Sequence, residues 1–114
     1  MAFEKFTNAG KSFKPKASIR ANAQIGFNQG AIRRFRLKNR TPVLLYFDPV
    51  DRLVGVEVKN RSCEEPALFS LQVRNGSAWI SAKAFLDYFE IDYSKTYRSM
   101  VELKDGKIVF GVTE

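Results

Sequence analysis

Laid upon itself, the chain repeats one pattern. Setting residues 25–37 over 79–91 brings Ile32-Arg33-Arg34-Phe35-Arg36-Leu37 above Leu86-Asp87-Tyr88-Phe89-Glu90-Ile91, and the apolar positions coincide. A chain of 114 residues, 45% of them apolar, can bury one modest core and not two. Two copies of the pattern must therefore fold as one compact domain.

Each copy reads as strand, short helix, hairpin. The first opens with Ile19, Ala21, Ala23, Ile25 and Phe27, whose alternation predicts an extended segment. The second opens with Phe69, Leu71 and Val73, then Trp79 or Ile80, with Asn75-Gly76 between them as a hairpin turn. Asn28 and Ser81 are the expected helix caps, since a side-chain oxygen there can accept an orphan amide. In the first helix Ala31, Ile32 and Phe35 share one side, and Arg33, Arg36 and Arg40 share another if the helix extends that far; in the second, Ala82, Phe85, Leu86 and Phe89 make the buried stripe. Hairpins follow, with strands at 43–47 and 53–59 around Asp48-Pro49-Val50-Asp51, and at 97–103 and 107–112 around Lys104-Asp105-Gly106. These elements predict a strand-dominated α+β domain over 19–114, with units at about 19–60 and 67–112 joined by a polar connector at 61–66. Residues 1–18 form a basic arm.

Charge separates the two copies. The first forty residues carry ten basic side chains and one acid, Glu4, for a formal +9; the rest hold nine basic and eleven acidic groups, giving −2 and an overall +7. Only the first part attracts a polyanion. Arg33, Arg34, Arg36, Lys38 and Arg40 surround Phe35 and Leu37, and guanidinium groups suit phosphate because they donate in a planar fork. Lys11, Lys14, Lys16 and Arg20 add cations from the arm, where Phe3, Phe6 and Phe13 are interleaved. These rings are expected to pack on the domain edge, and Tyr46, Phe47, Trp79, Tyr88 and Phe89 to belong to the core.

The chemistry available to the chain is narrow. With no histidine and a single cysteine, Cys63, nucleophilic triads that need histidine and zinc sites built from His or several Cys are excluded. No cofactor is expected, and a lone cysteine suits a reducing compartment, so the expected location is cytoplasmic. Apolar runs such as 43–47 are too short to span a membrane. Gly10-Lys11-Ser12 resembles the end of a phosphate-binding loop, but Lys5 stands where the first glycine is needed. Asp51 with Glu57-Val58-Lys59 has the residue types of a magnesium-dependent nuclease, where carboxylates hold the metal and the lysine polarises water, although exposed hairpin charges give the same pattern. Asn60-Arg61-Ser62 and Asn75-Gly76-Ser77 read as turn chemistry.

The paired units, carried by Ala23-Gln24-Ile25-Gly26-Phe27-Asn28 with Arg33-Arg34-Phe35-Arg36-Leu37, and by Ser77-Ala78-Trp79-Ile80-Ser81 with 85–91, resemble the swapped-hairpin family of AbrB-like and MraZ-like DNA-binding proteins. Ala23-Gln24 and Asn28-Gln29 stand where that family usually has a Gly-Arg pair and a helix-opening proline. The resemblance implies that two units interlock into one small barrel, here within a single chain, as a monomer or homodimer. It also implies DNA contact through basic residues on one face, of which Arg33, Arg34 and Arg36 match by position. The expectation is a small non-enzymatic nucleic-acid-binding protein, with double-stranded DNA favoured over RNA as its partner and transcription regulation as its role. The alternative is a protein-interaction module in which Asp87, Glu90, Asp92 and Asp105 receive the basic half of another copy.

Overall fold

In a computed structural model, which describes residues 3, 5 and 14–112, the chain forms a closed eight-stranded antiparallel barrel with two short helices. The elements are β1 (Lys16–Ile19), β2 (Gln24–Phe27), α1 (Gln29–Phe35), β3 (Thr41–Asp48), β4 (Leu53–Val58), β5 (Phe69–Arg74), β6 (Ser77–Ser81), α2 (Lys83–Tyr88), β7 (Tyr97–Lys104) and β8 (Lys107–Gly111). Around the barrel the strands run β1-β2-β6-β5-β3-β4-β8-β7. Exchanging β1–β4 for β5–β8 returns the same ring read in the opposite sense. Closure removes the exposed edges that open sheets must protect.

Strand alternation fills the interior. Ile19, Ile25, Phe27, Val43, Val54, Val56, Leu71, Ile80 and Phe110 are buried, and no polar or charged side chain among the described residues joins them. Phe27 and Phe110 meet edge to face, 6.4 Å between centroids, from strands on different sides of the barrel. Such a core must be held by non-local pairing, because each strand contributes only two or three inward side chains.

Local chemistry explains most turns. Asn75 and Gly76, and again Asp105 and Gly106, both take positive φ, the geometry a two-residue hairpin loop requires. Asp48 accepts from the Val50 and Asp51 amides at 2.9 and 3.3 Å, holding the turn that Pro49 begins. Asn60 accepts from the Ser62 amide at 3.1 Å, which ties the connector.

Three expectations are corrected. The opening segment is a hairpin, not one strand: Ala23 takes φ 65°, and Arg20 and Gln24 bond across the turn at 2.9 Å. The buried alternation survives because Ala23 and Ile25 resume facing inward after the turn, while Ala21 is exposed. This also places β1 from Lys16, so the barrel begins inside the arm. The second cap is Ala82, without a side-chain bond, because β6 runs on through Ser81 and pairs it with Gln24. Finally, α1 stops at Phe35, with Arg36 left-handed at φ 52°, so Arg33, Arg36 and Arg40 do not share a helix face.

The helices nonetheless match in backbone detail. Asn28 caps α1 by accepting from the Ala31 amide at 2.9 Å. The Ile32 amide bonds the Asn28 carbonyl, and the Leu86 amide bonds that of Ala82. At the other end Arg36 (φ 52°) and Glu90 (φ 54°) are both left-handed, and the next amides, of Leu37 and Ile91, reach back to Ile32 and Leu86 at 3.0 and 2.9 Å. The apolar residue after the left-handed position is buried in each case.

Candidate nucleic-acid interface

The basic residues separate into three places. Arg33 and Arg34 are exposed in the last turn of α1, where positive charge also complements the helix dipole. Arg34 and Arg36 border a shallow groove of about 290 Å³ with Val58 and Leu103, two exposed apolar side chains. Lys38 is exposed beyond it. Arg40 opens onto a different groove, of about 480 Å³, shared with Arg61, whose guanidinium donates to the Asn39 carbonyl at 3.0 Å. The run of cations that is continuous in sequence is therefore divided in space.

A third and larger groove, of about 680 Å³, runs over the outer face of β1. Its cations are Lys16, Arg20 and Arg98, and no carboxylate lines it. The register explains the convergence. Ser18 lies opposite both Arg98 on β7 and Gly26 on β2, and it stands between the inward Ala17 and Ile19. Gly26 in turn faces Trp79 on β6, so Arg98, Ser18, Gly26 and Trp79 form one outward row across four strands. The Arg20 side chain folds over Gly26, and a Cβ there would collide with its guanidinium group. Asn28 closes one end, accepting from the Lys16 amide at 3.0 Å and donating to the Lys14 carbonyl at 2.8 Å.

Lys14, Lys16 and Arg20 thus lie in or beside one groove, and Arg98 joins them from the half of the chain with net negative charge. Sequence reasoning missed Arg98, because nothing local marks it; its pairing with β1 does. Lys11 and the Gly10-Lys11-Ser12 motif lie outside the described residues, as do Phe6 and Phe13, while Phe3 is 88% exposed rather than packed.

The aromatic expectation also needs correction. Tyr46 and Tyr88 are exposed, at 40% and 79%, and Phe47, Trp79 and Phe89 are half-buried. Phe89 gathers Phe47, Phe85 and Tyr88 within 5.2 Å between centroids; Phe85 belongs to the core and Phe47 and Phe89 pack against it, so of this group only Tyr88 faces solvent.

Asp51 and Glu57 do not assemble a metal site. Asp51 sits in the hairpin turn and Glu57 is the fifth residue of β4, about 13 Å along the strand from its first residue. Glu57 is instead engaged by the Tyr46 hydroxyl at 2.7 Å and Lys59 at 3.2 Å. The Tyr46 bond, followed by Lys59, holds its carboxyl below the ordinary value, and Tyr46 is raised in return. Among the described residues no group of three or more potential ligands from Cys, Asp or Glu converges on one point.

The acidic residues cluster around α2. Asp87 accepts from Lys83 at 2.6 Å and from the Tyr93 hydroxyl at 2.8 Å, and the Lys83 bond leads in lowering its carboxyl. Asp92 accepts from the Ser94 amide at 2.8 Å. Asp105 lies apart, at the β7–β8 turn. No helix among the described residues is long and apolar enough to cross a membrane. In comparisons with known proteins, the chain matches no family model, no curated protein and no solved structure.

Proposed function

We propose that this is a small nucleic-acid-binding protein, acting without chemistry of its own and suited to regulating transcription from the cytoplasm as a monomer or homodimer. One observation carries the reading: Lys16, Arg20 and Arg98 share a groove whose lining contains no carboxylate. A phosphate entering it meets cations and neutral hydrogen-bonding groups, with nothing to repel it. Arg33, Arg34, Arg36, Lys38 and Arg40 extend the positive field around α1, and Lys11 and Lys14 add charge from the arm.

The strand ring supports a duplicated origin, since it is unchanged when its two halves are exchanged. The matched helix ends support it further. Both agree with the resemblance to swapped-hairpin DNA-binding proteins, whose units interlock in a barrel.

Titrating labelled duplex DNA, single-stranded DNA and RNA at two salt concentrations tests the reading. Binding should saturate and weaken steeply with salt. Replacing Arg33, Arg34 and Arg36 with Ala should lower affinity in a chain that stays folded. An unchanged affinity removes α1 from the interface, and no binding to any of the three at low salt removes the reading.

A second reading, a self-assembling module, is favoured by one feature. At matched positions in and just after the two helices Arg33, Arg36 and Lys38 are replaced by Asp87, Glu90 and Asp92, so one corner of a molecule complements the other corner of its neighbour. Sedimentation without nucleic acid would then show salt-sensitive association.

A further inference from the structure

We infer that the groove over β1 takes a single polynucleotide strand, with its bases turned toward Trp79. This rests on the nucleic-acid reading and departs from the expectation of a duplex partner. The first argument is shape. Duplex DNA is read by elements that protrude into its grooves, whereas this site is concave. Its floor spans β7, β1 and β2, about 10 Å for two strand spacings. That width admits one sugar-phosphate backbone.

The second argument is the arrangement along the outward row that crosses this groove. Cations lie on the β1 and β7 side, where Arg98 flanks Ser18 and Lys16 lies farther along β1. The aromatic lies on β6, one strand beyond the groove floor. Trp79 faces Gly26 in the register and is half-buried between the inward Ala78 and Ile80, so its ring has an outward surface. Because Gly26 has no side chain, it leaves room for the Arg20 guanidinium between phosphate side and ring side. A planar guanidinium and an indole are both surfaces on which an unpaired base stacks. A backbone held by Arg98 and Lys16 can direct its bases over them; paired bases inside a duplex present no free face.

Gly26 therefore acts as a positioning residue for Arg20. Adding a Cβ displaces the far end of a flexible side chain, which leaves the barrel able to fold while moving the guanidinium. Arg98 is exposed, so its replacement also spares the core.

Trp79 is the chain's one tryptophan, so its emission reports directly on stacking. The experiment is to titrate the full chain with oligothymidylate, oligouridylate and duplex DNA, each of about 12 nucleotides or base pairs, following anisotropy and tryptophan emission together. Single strands should bind at least about tenfold more tightly than duplex and quench Trp79. Arg98→Ala should lower the salt slope for single strands by about 0.7, one phosphate contact. Gly26→Ala should weaken single-strand binding several-fold and reduce the quenching, with thermal melts confirming that both variants are folded.

Duplex binding as tight as single-strand binding, or single-strand binding that neither quenches Trp79 nor responds to Arg98→Ala, overturns this inference and leaves the nucleic-acid reading in place. Failure of all three ligands to bind at low salt overturns both.

Discussion

The two helical corners of the barrel share a backbone and oppose one another in charge. Both helices end in a left-handed residue followed by a buried apolar one, with the same reach of the next amide to the helix. Yet Arg33, Arg36 and Lys38 at one corner stand where Asp87, Glu90 and Asp92 stand at the other. Backbone geometry is thus set by the apolar positions and by capping, which the corners share. Charge is free to diverge because these side chains point into solvent.

The largest expected effect tests how far the likeness extends inward. Leu86 is fully buried and Ile32, its counterpart, only partly. Leu86→Ala should cost about 2–5 kcal/mol and Ile32→Ala about 1–2 kcal/mol in urea unfolding. Equal costs would mean that α2 is no better anchored than α1.

Next is the cap, where the corners differ. Asn28 serves the Ala31 amide and ties Lys14 and Lys16 to the same point, whereas Ala82 caps nothing with its side chain. Asn28→Ala should therefore cost about 1–2 kcal/mol and loosen the closed end of the β1 groove. Hydrogen exchange at the Ala31 and Lys16 amides would show it; unchanged protection at both would break the comparison.

The left-handed ends sharpen it. Arg36→Gly and Glu90→Gly each relieve a conformation that an L side chain resists, and each should stabilise by about 0.5–1 kcal/mol. The two gains should be alike. A gain at one corner only would show that a side-chain contact, and not φ, governs the other.

The smallest effect concerns Asp87. Its carboxyl is held below the ordinary value of 3.8, first by Lys83 and then by Tyr93. The stability it contributes is therefore present above the unfolded value and disappears as pH falls through the lowered folded one. Melts of Asp87→Asn should lie slightly below those of the parent near pH 7 and converge with them near pH 2. Because the group is exposed, the difference is small. A constant gap at all pH values would assign the loss to packing of Tyr93.

Much of this was legible locally. The turns at Asn75-Gly76 and Asp105-Gly106, the cap at Asn28, and the hairpins after each helix rest on side-chain chemistry within a few residues. The turn at residues 20–23 was not, because the apolar alternation of Ile19, Ala21, Ala23 and Ile25 runs through it with no glycine or proline to mark the reversal, although Ala21 is in fact exposed. The second cap was misplaced by one residue because Ser81 has the right side chain, and only its pairing with Gln24 keeps it in the strand. Tyr46 and Tyr88 show the limit of composition: their ring type suits a core, but a small barrel has room for few large rings.

Legible in the residues alone were the two helices, the hairpin after each, the buried side chains of most strands and an excess of positive charge near the start, but not the reversal that splits the opening segment into β1 and β2. Those depend on short-range spacing and backbone preference. Which charges lie side by side depends on how the strands pair. Antiparallel pairing of β1 with β7 brings Arg98 beside Lys16 and Arg20, while the curved surface divides Arg34 and Arg36 from Arg40. Register between strands as distant in sequence as β1 and β7 is a property of the closed barrel, set by the matching of inward faces, and no local run of residues encodes it.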